Sequence, residues 1–378
     1  MRLYEHEAAD IFSAMGIPVP ARAVARTPEE AGKAAQELGC PVVLKAQVLI
    51  GGRGRAGGVK VARSAAEARS LSEKLLGKDI KGFPVRKLLV SKKVNVEREL
   101  YLGVIIDGYE GKPVVLVSTE GGMDVDWVAG SSPEKIASLH VNVNHGLFPY
   151  QARGIFRKLG FSSGALLSGA DILVRLFRTF QTYDALIAEI NPLVVMPGGI
   201  VCAVDAVLEV DDSAVPRLGA RVPAGLERIK NLLERRGKEM GITYVELDGD
   251  IGLISSGAGL GMATADIIAQ RLRPANFLET GGGITEELLY HAMDLILMKP
   301  GIRAIFVNIY GGINPIHEGA RGIVRYIKEK RVGVPVIAKA LGNRQEETWK
   351  ILRGGGVHVV TDVATEKAVD RLVELLDA

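Results

Sequence analysis

Two cysteines are all that the 378 residues contain, Cys40 and Cys202, far apart and each in an apolar run. That usage excludes a disulfide framework and predicts buried free thiols in a reducing compartment. No apolar run approaches the roughly 18 residues of a membrane span. The opening MRLYEHEAADIF carries acids early and has no apolar core, so it is not a secretory signal and the cytoplasm is the expected location. Neither sign of charge dominates. The net charge is +3 with both signs interspersed and no long basic block, which argues against nucleic acid as a partner. The Walker pattern GxxxxGK[ST] is missing, as is any repeat of fixed period.

Glycine, by contrast, is abundant at 45 residues. It clusters at Gly51-Gly52-Arg53-Gly54, Gly57-Gly58, Gly257-Ala258-Gly259-Leu260-Gly261, Gly281-Gly282-Gly283 and Gly311-Gly312. Glycine clusters after apolar strands suit backbone that approaches phosphate or carboxylate oxygens. The length is too great for one core and predicts two or three domains.

The N-terminal half reads as mixed α+β. Thr27-Pro28-Glu29-Glu30 and Ser64-Ala65-Ala66-Glu67 are helix starts with capping residues. Strands are expected at 41–47, 88–90, 100–106 and 114–117, and a long helix over 151–180. A strand pair at 185–195 and 200–208 is joined by Pro197-Gly198-Gly199. Charge and proline then rise through 211–217, and a charged helix is expected at 226–240. Further on, short apolar strands at 251–255, 276–278, 304–309, 334–339 and 357–360 alternate with helices, two of them opened by Thr285 and Thr365. That alternation predicts a doubly wound parallel sheet. The expected domains are 1–217, a linker with charged helix at 218–245, and 246–378.

Geometry can be drawn from the strand pair. If its turn centres on Gly198, facing positions sum to 396, so Asn191 opposes Asp205 and Glu189 shares their face. Two carboxylates and an amide would then line one side of a ribbon, a hard-oxygen set suited to magnesium carrying nucleotide phosphates. A solvated polar face is the alternative, and a one-residue slip would undo the argument. Lys45 interrupts the apolar run Val42-Val43-Leu44 and must reach water or an anion. The nearby Gly51–Gly58 loop carries Arg53 and Arg55 and suits a cover over polyphosphate, or else a mobile surface loop. In the second half, glycine clusters follow Ser255, Leu278 and Ile309, all at strand ends that share one edge of a parallel sheet. The segment Ser256-Gly257-Ala258-Gly259-Leu260 opens a helix whose free N–H groups attract an anion; close helix–sheet packing is the alternative.

Taken in order, Leu44-Lys45-Ala46-Gln47, Gly52-Arg53-Gly54, Glu99-Leu100-Tyr101-Leu102-Gly103, Ser118-Thr119-Glu120-Gly121-Gly122, Pro149-Tyr150-Gln151 and Glu189-Ile190-Asn191-Pro192-Leu193 closely resemble the β subunit of succinyl-CoA synthetase. The resemblance runs over essentially the whole chain. It implies an N-terminal ATP-grasp domain followed by a flavodoxin-like domain, and a ligase that interconverts succinate, CoA and ATP or GTP with succinyl-CoA, ADP or GDP and phosphate. By the same resemblance Lys45, Gly52, Arg53 and Gly54 would hold nucleotide phosphates, and Ser91, Val94 and Glu99 would border the nucleotide. Asn191 and Asp205 would ligate Mg2+. Glu189 would act as the catalytic carboxylate, meeting a phosphohistidine on a partner α subunit. Ser256, Gly312, Ile313 and Asn314 would border the acid substrate. None of His6, His140, His145, His291, His317 or His358 lies in the segment expected around that phosphohistidine, so the nucleophile belongs to the partner.

Departures from the family pattern bear on specificity. Ser91 replaces a frequent Glu, and Leu49 a frequent His or small residue, which leaves ATP against GTP open. Ser256 replaces Asn, Leu341 an acidic residue, and Asn314-Pro315-Ile316-His317-Glu318-Gly319 an Arg-Cys-Asp-like run, which leaves malate, another dicarboxylate or a sulfur-containing analogue open. A stand-alone ATP-grasp ligase and a non-catalytic nucleotide sensor are the other readings.

Overall fold

The computed structural model describes residues 1–123, 130–223, 225, 228–229 and 231–377. It divides into two compact units, Met1–Pro223 and Ala224–Ala378. No described helix is long and apolar enough to cross a membrane.

The first unit contains two large antiparallel sheets, each with its own helices, and a two-stranded ribbon of Asp79–Ile80 and Phe83–Pro84. One has strands β1 (Arg22–Ala25), β2 (Val42–Ala46), β3 (Val59–Ala62) and β4 (Leu88–Lys92) in the order β1-β4-β2-β3. Helices α1 (Glu5–Ala14), α2 (Pro28–Leu38) and α3 (Ala65–Leu75) also lie in this stretch. Thr27 and Ser64 cap α2 and α3, their hydroxyls accepting from the Glu30 and Glu67 N–H groups at 3.2 and 3.1 Å. Along β2, Val42, Leu44 and Ala46 point into a core shared with Ala31, Ala35 and Val90. Lys45 therefore falls on the opposite face.

The other sheet holds β5 (Arg98–Asp107), β6 (Lys112–Ser118), β7 (Ile136–His140), β8 (Ala185–Val195) and β9 (Val201–Ala203), in the order β9-β8-β5-β6-β7, while β10 (Val207–Val210) also pairs with β8. The expected long helix is two, α4 (Pro149–Lys158) and α5 (Ser163–Thr182). Gly160 breaks it with φ +79°, a left-handed turn that suits glycine. Phe12 of α1, Phe156 of α4 and Phe177 of α5 pack with Leu100, Leu102 and Ile190 of the sheet in one core.

The hairpin register agrees with the sequence arithmetic. Leu193 faces Ala203, Val194 faces Cys202, and beyond the gap Glu189 faces Val207. The second strand is nevertheless two: the Val204 N–H still donates to Pro192 O at 3.2 Å, but Asp205 and Ala206 leave the ladder between β9 and β10. Gly198 and Gly199 make the turn with φ +82° and +77°. Cys202 is buried as expected, but Cys40 is exposed. It sits just past Gly39, whose φ of +74° ends α2, in the turn before Pro41 and not in β2.

The short helix α6 (Val215–Leu218) ends the first unit, and the second opens with α7 (Leu232–Glu239), capped by Asn231. Leu226, Glu227 and Lys230 of the expected charged helix lie outside the described residues. The sheet comprises β11 (Thr243–Glu246), β12 (Ile251–Ser255), β13 (Asn276–Glu279), β14 (Ala304–Gly311), β15 (Val336–Gly342) and β16 (His358–Val360). Their order is β11-β13-β12-β14-β15-β16. All neighbours are parallel except the edge strand β11, which runs antiparallel to β13. Without that edge strand the order is the flavodoxin-like 2-1-3-4-5. Helices α8 (Ala258–Ala269) and α12 (Thr365–Asp377) pack in one core with Ile337 and Phe306. Helices α9 (Glu286–Leu297), α10 (His317–Lys330) and α11 (Gln345–Gly354) supply the other, with Val307 and Ala338.

Candidate active site

In the first unit a cavity of about 520 Å³ is lined from both sheets. Val48, the Gly51–Arg55 loop and Val59 form one side, and Tyr101, Glu189, Asn191 and Asp205 the other. The loop between β2 and β3 is tied to itself: the Gly58 N–H donates to Arg53 O at 2.8 Å, and the Ala46 N–H donates to Gly58 O at 2.8 Å. Gly58 has no room for a side chain, since a Cβ there would lie 2.7 Å from the Ile80 methyl.

Lys45 and Arg53 are each only 9% exposed, and neither is unpaired. The Lys45 ammonium lies 2.7 Å from Glu5 Oε1 and also donates to Val204 O. Arg53 donates to Ala46 O at 3.1 Å, and its Nη2 lies 2.6 Å from Glu5 Oε2 and 2.9 Å from Asp205 Oδ1. Burial pushes the Glu5 carboxyl up, but the charges of Lys45 and Arg53 outweigh it and hold it at about 2. Burial pushes Asp205 up, opposed by Arg53 and reinforced by Glu5. Burial would weaken the Arg53 cation, yet Asp205 and Glu5 more than offset this and strengthen it.

Glu189, Asn191 and Asp205 line the same cavity. Asn191 Oδ1 accepts from the Gly122 N–H at 2.7 Å, and its amide donates to Met123 O at 2.9 Å. Asp205 Oδ1 accepts from Arg53 and from the Ala206 N–H at 2.9 Å; Oδ2 carries no partner among the described residues. An amide oxygen and a carboxylate are hard donors of the kind Mg2+ prefers. Among the described residues no three His, Cys, Asp or Glu side chains form a cage. A cation at Asn191 and Asp205 would therefore take its remaining ligands from phosphate oxygens and water. The residues present fit such a metal.

Other expected contacts fall outside this cavity. Ser91 is buried in β4, against a narrow cleft shared with Arg22, Leu89 and Asp205. Val94 is half-buried just after β4. Glu99 is exposed on β5, with its carboxylate beside Gly122, which does line the cavity.

In the second unit, Ser256, Gly312, Ile313 and Asn314 gather at the carboxyl edge of the parallel strands. The Ser256 hydroxyl accepts from the Tyr310 N–H at 2.9 Å and donates to Tyr310 O at 3.2 Å, which ties the start of α8 to the end of β14. Ile313 is 92% exposed, and its carbonyl accepts from Asn343 at 2.8 Å. Asn314 donates to Gly282 O. His317 opens α10, is buried, and its Nδ1 has no partner among the described residues.

Sequence reasoning missed Glu5, Tyr101 and Met123. Only Glu5 had a readable signal: Glu5, Ala8, Ala9, Ile11 and Phe12 recur at helical spacing and form the buried face of α1.

A nucleotide-sized cavity between two antiparallel sheets, followed by a flavodoxin-like sheet with a glycine-rich edge, defines an ATP-grasp enzyme with an attached CoA-ligase domain. Family comparison agrees. Residues 2–195 match the ATP-grasp domain and residues 254–373 the CoA-ligase domain. The chain is 40% identical over 375 residues to the ADP-forming succinate–CoA ligase subunit beta of Methanothermobacter thermautotrophicus, covering 99% of each. It is 40% identical over 376 residues to the GDP-forming counterpart of Thermus thermophilus, again with 99% coverage of each. ATP citrate lyase from Methanothrix soehngenii shares the fold, with a TM-score of 0.73 at 17% identity over 99% of both chains. The chain belongs to the succinate–CoA ligase β-subunit family and is the nucleotide-binding subunit of an acid–thiol ligase.

Proposed function

We propose that this chain, working with an α subunit, interconverts succinate, CoA and a nucleoside triphosphate with succinyl-CoA, nucleoside diphosphate and phosphate. The observation that carries the reading is the convergence of Arg53, the Gly52–Gly54 loop, Glu189, Asn191 and Asp205 on one cavity. Magnesium bound there would neutralise phosphate charge and orient the transferred group. Asn191 and Asp205 are proposed to hold it. Lys45, Arg53 and the loop's N–H groups would bind the phosphate oxygens, and Glu189 would receive and orient the imidazole that carries the phosphoryl group from the α subunit. Ser91, Val94 and Glu99 are proposed to border the rest of the nucleotide. Phosphoryl transfer needs positioning and charge neutralisation more than covalent help, which these groups provide. Ser256, Gly312, Ile313 and Asn314 are proposed to face the acid at the edge of the second sheet, with residues 1–217 and 246–378 as the functional domains.

The test is to incubate the native complex with γ-labelled ATP and Mg2+ alone, then to ask which acid with CoA removes the label. Acid-labile label on the α subunit, discharged by succinate and CoA, is the expected result. Discharge only by malate or another dicarboxylate moves the substrate and points to the Asn314–Glu318 run, where Pro315 supplies no N–H donor. Label on this chain, or none on any partner, sinks the relay.

A further inference from the structure

Resting on the nucleotide reading of the first-unit cavity, we infer that Glu5 is a positioning residue: it holds Lys45 and Arg53 as a preset pair of cations, and Arg53 exchanges Asp205 for phosphate when the metal arrives. Both Glu5 oxygens are engaged. Oε1 accepts from Lys45 at 2.7 Å, and Oε2 lies 2.6 Å from Arg53 and accepts from the Gln47 amide at 3.0 Å. Gln47 is itself fixed, since its Oε1 accepts from the His6 N–H at 3.1 Å and lies 3.0 Å from the His6 ring. Glu5 is also the first residue of α1, where the helix dipole favours a carboxylate.

Two buried cations sit against two carboxylates, so the quartet Glu5, Lys45, Arg53 and Asp205 is neutral before any ligand enters. The two carboxylates are not equivalent. Glu5 is 7% exposed and both its oxygens already face donors, so it is poorly placed to take a metal. Asp205 is a third exposed, lines the cavity, and has an oxygen without a partner. A divalent cation would therefore take Asp205. Arg53 would lose that contact and keep the one to Glu5, leaving its guanidinium aimed at the cavity with donors for phosphate. Glu5 sets how tightly Arg53 grips Asp205. Without its charge, two cations would face one carboxylate, and the incoming metal would meet both stronger competition and an unbalanced positive charge.

The experiment measures ADP affinity by calorimetry as a function of Mg2+ concentration, on the chain in its complex with the α subunit. Glu5→Gln is expected to raise the Mg2+ needed for half-maximal binding by about five- to tenfold. Glu5→Asp, which keeps the charge, should return it to within about twofold. Arg53→Lys, which lacks the planar fork whose Nη1 is anchored on Ala46 O while Nη2 meets both carboxylates, should shift the requirement the other way. If Glu5→Gln changes only the melting temperature and leaves the Mg2+ requirement within twofold of wild type, Glu5 is merely structural and the inference falls. Should Glu5→Gln fail to fold, Arg53→Lys decides alone, and an unchanged or higher Mg2+ requirement overturns it. Asp205→Ala separates the two levels: retained wild-type Mg2+ dependence in that variant would sink the metal reading itself, and not only the role of Glu5.

Discussion

At the scale of single residues, the candidate site is a balance of buried charge. Glu5 has its carboxyl held at about 2 against an ordinary 4.5. A depressed carboxyl contributes stability in full above its unfolded value and loses it as pH falls toward the folded one. Acid titration of wild type should therefore show stability declining between about pH 4.5 and 2, and Glu5→Gln should be flatter across that window; equal slopes would contradict the pairing. The cysteines give a second check. Burial pushes the Cys202 thiol up to about 11, and Cys40 is exposed. A thiol reagent at neutral pH is expected to label Cys40 alone, with Cys202 reacting only after denaturation, as mass spectrometry can show. The local part of this picture was legible: Lys45 inside an apolar strand announces that it needs an anion. Which anion it finds was not, because Glu5 lies 40 residues away and no local pattern specifies a contact of that span.

Elements were legible where the chain carries its own geometry. Gly198 and Gly199 pin the hairpin turn, so the register of β8 against β9 follows by counting. The apolar parallel strands of the second unit needed no more than their composition. The break between α4 and α5 was written in Gly160 and Ser162 but masked by apolar spacing on both sides. The split between β9 and β10 was hidden because Asp205 leaves the ladder to meet Arg53, a contact made 152 residues away. Two variants probe the elements. The Thr285 hydroxyl accepts from the Leu288 N–H at 3.3 Å, so Thr285→Ala should cost about 1 kcal/mol. Gly322 lets α10 approach α9 so closely that a Cβ would lie 2.0 Å from Glu286 O. Gly322→Ala should cost more, roughly 1–3 kcal/mol, and thermal melts would rank the two.

The molecule as a whole consists of two units with separate hydrophobic cores, and the proposed chemistry needs both of them and a partner. Mg2+ and ADP are expected to slow amide exchange first in the strands around Glu189–Asn191 and Lys45. Protection appearing instead at Ser256 and Gly312 would place the nucleotide in the wrong unit. The family resemblance was carried by motifs in order between Leu44 and Leu193, which is why the architecture could be read from sequence while the occupants of each buried contact could not. Heredity should treat the Pro197–Gly199 turn asymmetrically. Changes at Pro197 cost the lineage little, since that stretch lies away from the cavity, whereas Gly198 and Gly199, at φ +82° and +77°, are held to glycine. Gain or loss of one residue would shift Val207–Val210 against Glu189 and, on the proposed metal site, would cost Mg2+ binding. Among descendants of this gene the turn should drift at Pro197, keep both glycines and hold its length.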